Sequence, residues 1–162
     1  MKLTKNFVYP TDVETVFGLI SSLEFRTHSC EVQGSLEQDV DVTEAGGVVT
    51  VTIKRTMPSD MPDFVKKLTG DKVKVVQKEV WQAPDASGVR HAVVSVDIIG
   101  QPAQMKGKAA LIPEGDSTKF DIDGDVKVAI PLIGRKIEPE VVKAISASLD
   151  AEVATGLEQL GL

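Results

Sequence analysis

Residues able to do chemistry are sparse in this chain: two histidines, His28 and His91, one cysteine, Cys30, and one tryptophan, Trp81. His28 and Cys30 are the nearest pair of metal-ligand types. On a helix, residues two apart point about 200° from each other, so the two cannot grip one ion. His91 follows Arg90 in an alternating segment and reads as a surface residue. The run Asp121-Ile122-Asp123-Gly124-Asp125 resembles the start of a calcium loop. Its glycine stands at position 4 instead of 6, however, and Leu132 occupies the place of the bidentate glutamate. Strand alternation explains the run better, with Phe120, Ile122, Val126 and Val128 inward and the aspartates in water. No G-x-S-x-G elbow surrounds a serine, no local signature surrounds Cys30, and neither glycine-rich phosphate loop occurs. We therefore expect no metal and no cofactor.

The candidates that remain come from strand parity. In segment 73–82 the even positions include Lys74 and Lys78, which prefer water, so Val73, Val75, Gln77, Glu79 and Trp81 should point inward. In segment 48–56, Val49, Val51 and Ile53 share a face with Arg55. An inward glutamate needs a cation or water, because an unpaired buried charge costs several kcal/mol. Arg55 is the partner this parity offers. Two readings stand: a rim salt bridge closing the sheet edge, or a polar pair that orients a ligand. Trp81, close to a turn at 83–88, should bury its ring and keep its N–H near water or an acceptor.

The elements that position these residues follow from periodicity. Leu3–Tyr9 alternates as a strand that Pro10 ends. Thr11 and Glu14 form a capping-box pattern, and Val13, Val16, Phe17 and Ile20 form a helical stripe. Residues 23–33 make a second, less regular helix before Gly34. Strands are expected at 36–42 and 48–56 around Gly46-Gly47, then at 73–82, 89–99, 103–113 and 117–130. The proline-bearing stretch 57–72 should hold one short helix. After Pro131 the apolar residues Ile137, Val141, Ile145, Leu149, Val153, Leu157 and Leu160 recur mostly every fourth position. That spacing drifts about 40° per step, so the stripe winds around one long helix and suits a helix lying diagonally across a curved sheet. Ala144, Ser148, Ala151 and Gly156 should leave space beneath it.

Composition bounds the function. The 162 residues fit one domain, 1–162, and 23 valines against seven aromatic residues point to a large aliphatic sheet. A formal charge of −6 argues against nucleic acid and against an anionic membrane surface. A single cysteine forms no internal disulfide, and neither a signal-peptide pattern nor a stretch of ~18 apolar residues occurs, so we expect a cytoplasmic protein without an integral membrane segment. The economical architecture is α+β: one seven-stranded antiparallel sheet curled around the C-terminal helix.

This element order resembles the helix-grip fold of the START-like (SRPBCC) superfamily, which includes birch-pollen allergens, polyketide cyclases and lipid-transfer domains. Three stretches carry a closer likeness to an uncharacterised START-like family best known from actinobacteria. They are Val51–Arg55 with Pro62-Asp63-Phe64, Glu79-Val80-Trp81, and above all Gly124–Glu138. The resemblance implies the fold and little chemistry.

A curled sheet roofed by a helix makes a concave apolar interior, so the leading expectation is a carrier or binder of a hydrophobic small molecule, lipid or polyketide-like. The residues expected to contact it are Arg55, Glu79, Trp81, Met105, Ile145 and Leu149. Two alternatives remain open: a cyclase- or aromatase-like enzyme using Glu79 and Arg55, or a module for a protein partner whose cavity is filled by its own side chains.

Overall fold

The chain runs β1 (Lys2–Tyr9), α1 (Val13–Ile20), α2 (Leu23–Val32), β2 (Glu37–Ala45), β3 (Val48–Pro58), α3 (Asp63–Thr69), β4 (Lys72–Trp81), β5 (Arg90–Ile98), β6 (Ala103–Glu114), β7 (Ser117–Val128) and α4 (Gly134–Gln159). In this computed structural model, which describes residues 1–162, the strands form one antiparallel sheet in the order β1-β7-β6-β5-β4-β3-β2. The first strand thus pairs with the last, Leu3 opposite Gly124 and Phe7 opposite Phe120. Helices α1 and α2 connect the two edge strands, and α4 lies over β7 and β1 and against α2.

The alternation of β7 works out as expected from its side chains: Phe120, Ile122, Val126 and Val128 are buried, and the intervening aspartates face outward. Helix α1 is capped differently. The Thr15 amide donates to the Asp12 carboxylate at 2.9 Å, so Asp12 and not Thr11 is the N-cap. A carboxylate serves the positive end of the helix better than a hydroxyl does. The Thr11 carbonyl instead accepts from the Thr118 hydroxyl at 2.8 Å, and Glu14 pairs with Arg90 at 3.0 Å.

Gly107 and Gly124 face each other across β6 and β7. A Cβ on Gly107 would sit 2.3 Å from the Asp123 carbonyl oxygen, and one on Gly124 would sit 2.7 Å from Met105 Sδ. The requirement is space for close backbone approach. Gly107→Ala must therefore push backbone apart, and thermal denaturation should show a loss of at least ~1–3 kcal/mol. An unchanged midpoint would mean the strands do not approach this closely.

The core falls into two parts. A cluster of 23 buried residues spans α1, the β5–β7 side and both ends of α4, and a separate trio, Cys30, Val51 and Ile53, lies under β2 and β3. Residues from both parts line one cavity.

Candidate functional site

That cavity has a volume of about 800 Å³ and lies between the sheet and α4. Its walls are mostly apolar, with 28 hydrophobic residues among the 45 that line it. The winding stripe of α4 explains its position. Ile137, Val141 and Val153, near the two ends, are buried, whereas Ile145 and Leu149 in the middle are only half-buried and line open space. Ala144, Ser148 and Ala151 add room on the same helix. Gly156 does something else: a Cβ there would meet Leu19 at 2.9 Å and Tyr9 Oη at 3.2 Å, so it lets α4 pack closely on α1 and β1.

At one end the apolar wall is interrupted by ionised side chains from four elements. Glu79 on β4 and Trp81 beside it point inward, as parity required, and both are buried. The partner of Glu79 is not Arg55. It is Arg26 of α2, whose Nη1 and Nη2 donate to Glu79 Oε1 and Oε2 at 3.1 and 2.5 Å. Nη1 also donates to the Ile20 carbonyl at 2.9 Å. Gln77 Nε2 donates to Glu79 Oε2 at 2.6 Å and Trp81 Nε1 to Oε1 at 3.0 Å, so four donors occupy the two carboxylate oxygens. Burial pushes the Glu79 carboxyl up, but the charge of Arg26 and the donated hydrogen bonds outweigh this and hold it below the usual carboxylate range.

A second carboxylate comes from α4. Glu152 Oε1 lies 2.7 Å from Arg26 Nε, an ion pair whose alignment falls short of a hydrogen bond. Burial raises its carboxyl above the ordinary range; Arg26 and Arg55 pull it down and Glu79 pushes it up, with a net rise. Arg26, sandwiched between the two carboxylates, stays charged. Tyr9 is fully buried and its hydroxyl has no hydrogen-bond partner; burial and then Glu152 raise it above a free tyrosine.

Arg55 also faces inward but lies further along β3. Its Nη1 donates to Gln33 Oε1 at 3.2 Å and its Nη2 to Ser148 Oγ at 2.9 Å, and the Ser148 hydroxyl donates to the same Gln33 oxygen at 2.6 Å. The residue register separates the two groups: Glu79 is opposite Val51 and Arg55 opposite Val75, four positions away on each strand. Trp81 differs from its expected rim setting. It is 1% exposed, its ring 5.9 Å from that of Phe17 and 6.4 Å from that of Phe120, and its N–H is used on Glu79. Adjacent α1 covers it, a contact that strand parity does not contain.

Arg55, Glu79, Trp81, Met105, Ile145 and Leu149 all line the cavity. The sequence reading missed Arg26 and Glu152. A signal for the first existed: Arg26, Ser29, Cys30 and Gln33 follow i, i+3, i+4, i+7 spacing, and all four line the cavity. No group of three or more His, Cys, Asp or Glu side chains converges to hold a metal ion.

A curved antiparallel sheet gripping a long C-terminal helix over a cavity is the helix-grip fold of START-like proteins. The chain belongs to the family described as a protein of unknown function (DUF2505), which matches residues 5–160. It is 28% identical over 100 residues to the uncharacterized protein Rv0481c of Mycobacterium tuberculosis, a match spanning 60% of this chain and 57% of that protein. Several solved structures share the fold. TTHA0849 from Thermus thermophilus superposes with a TM-score of 0.64 at 15% identity, covering 96% of this chain and 93% of that one. A STAR-related lipid transfer protein from Xanthomonas axonopodis superposes with a TM-score of 0.61 at 10% identity, covering 93% and 82%. Likeness at these identities establishes the fold alone. No helix is long and apolar enough to cross a membrane.

Proposed function

We propose that this protein binds and carries a hydrophobic small molecule, of lipid or polyketide size, in the cavity between the sheet and α4. The observation that carries this reading is a cavity of about 800 Å³ whose walls are mostly apolar and into which a few charged side chains reach, among them Arg26, Arg55, Glu79 and Glu152. Ligand sites of this kind are typically ~300–1,000 Å³, mostly apolar, and oriented by a few convergent polar groups. The lipid-transfer protein that shares the fold supports the same reading. A module with a filled interior accords poorly with that volume. An enzyme using Glu79 as its acid or base accords poorly with a carboxylate whose oxygens already accept from four donors and whose ionised form is favoured.

Native mass spectrometry of freshly purified protein should reveal a co-purified apolar molecule, or binding of added lipid after delipidation. Trp81 offers a second readout as the single tryptophan. Its emission should be that of a buried indole and should shift when dodecan-1-ol fills the cavity it lines. Ile145→Trp, which places bulk in open space, should weaken that binding at least about tenfold while leaving the melting transition cooperative. Absence of any mass shift and of any emission change across alcohols, fatty acids and polycyclic ligands would end the carrier reading.

A further inference from the structure

Two arginines line the cavity, and their surroundings differ. Arg26 is held by two carboxylates, Glu79 and Glu152. Arg55 touches only neutral acceptors, Gln33 Oε1, Ser148 Oγ and, at 4.0 Å, Cys30 Sγ, with no carboxylate within ion-pair distance. Its Nε has no partner at all. A guanidinium lining an apolar cavity, fixed in orientation by Gln33 and Ser148 and with no carboxylate in contact, is arranged for a planar anion. We propose, on the carrier reading above, that the natural ligand is an amphipathic monocarboxylic acid whose carboxylate pairs with Arg55 while its apolar body lies along Ile145, Leu149 and Met105.

Charge balance then assigns a part to Glu152. The groups facing it are Arg26 and the Cys30 thiol from α2, Glu79 from β4, Arg55 from β3 and Tyr9 from β1. With both glutamates ionised and Tyr9 neutral, the two arginines leave this array without net charge. A ligand carboxylate would add an excess negative charge in a poorly solvated place, a cost relieved when Glu152 takes up one proton. Burial and the nearby Glu79 already favour that proton. Acid binding is therefore coupled to protonation of Glu152, whereas binding of an uncharged analogue is not.

The test compares dodecanoic acid with dodecan-1-ol by isothermal titration calorimetry and Trp81 emission between pH 6 and pH 8.5. The acid should bind about tenfold or more tightly than the alcohol at pH 6. Its affinity should then fall, by at most about tenfold per pH unit for a single linked proton, while the alcohol's stays level. Arg55→Met should remove the acid's advantage over the alcohol, and Glu152→Gln should flatten the pH dependence. Thermal melts establish that each variant is folded, and the wild-type comparison stands without them. An alcohol that binds as tightly as the acid at pH 6, or an acid affinity that is level with pH, overturns this inference and leaves the carrier reading intact. Failure of both probes to bind also overturns this inference, and the carrier reading falls with it when polycyclic ligands fail as well.

Discussion

A chain ending at Pro131 is expected to lose its cooperative thermal transition and to show the broad, shallow unfolding of a collapsed state. Three buried apolar side chains leave with α4, Ile137, Val141 and Val153, each contributing about 1.5–3 kcal/mol. Ile145, Leu149, Leu157 and Leu160 leave as partly buried packing partners. Arg26 also loses Glu152, and Tyr9 and Phe25 lose the surface around Gly156 that covers them. These losses together reach the whole of the usual 5–15 kcal/mol net stability. Calorimetry on the shortened chain checks this. A sharp two-state melt would mean that the sheet and α1–α3 form a core without the helix, and the gripping arrangement would be incidental to stability.

The second large effect lies in the buried pair. Arg26→Met should destabilise by about 3–5 kcal/mol, because it leaves Glu79 and Glu152 away from water without their cation, and Glu79→Gln should cost less, because Glu152 still pairs with Arg26. The double variant should cost less than the two together, with a coupling of about 1–3 kcal/mol. Arg55→Met with Glu79→Gln should by contrast be close to additive, since the two side chains bond to different partners. Chemical denaturation of the six proteins decides it. Additivity of the Arg26 and Glu79 changes would separate two groups that the geometry joins.

Acid titration provides an independent reading of the same pair. The Glu79 carboxyl is depressed in the folded state, so its contribution is complete above the unfolded-chain value near ~4.3 and is lost as pH falls through the lower folded value. Glu79→Gln should remove that component of acid unfolding. Glu152 has the opposite sign: its raised carboxyl favours the folded state below the unfolded-chain value, and that contribution fades as pH rises through the folded one.

How much of this was legible beforehand depends on whether local pattern or distant contact decides a residue's place. The inward setting of Glu79 and Trp81 needed only the lysines at 74 and 78, because strand alternation turns one exposed position into an assignment for the whole face. The order of elements and the winding stripe of α4 were legible for the same reason. Arg26 was not, since a charged residue on a short helix is ordinarily solvated, and its burial rests on a carboxylate 53 positions away. Glu152 stands between Leu149 and Val153 of the apolar stripe, and only the approach of α2 makes that face an interior one. The Arg55–Glu79 pairing failed because parity specifies a face and leaves the distance along the strands open. The Gly107–Gly124 approach needed the β6–β7 register.

The pairing of β1 with β7 carries a consequence for how the molecule comes into being. Lys2 opposes Asp125 and Tyr9 opposes Thr118, so β1 finds its neighbour only after more than 100 further residues are made. Contacts this remote in sequence slow folding, because chain closure is entropically unfavourable before any pairing offsets it. The β2–β6 meander can zip from hairpin to hairpin as it is synthesised, while β1, α1 and α2 wait. The two sides of the polar cluster then meet late: Glu79 is in place with the meander, and Arg26 and Glu152 arrive only as the sheet closes and α4 docks. On this order of assembly the walls of the cavity come together only when α4 docks.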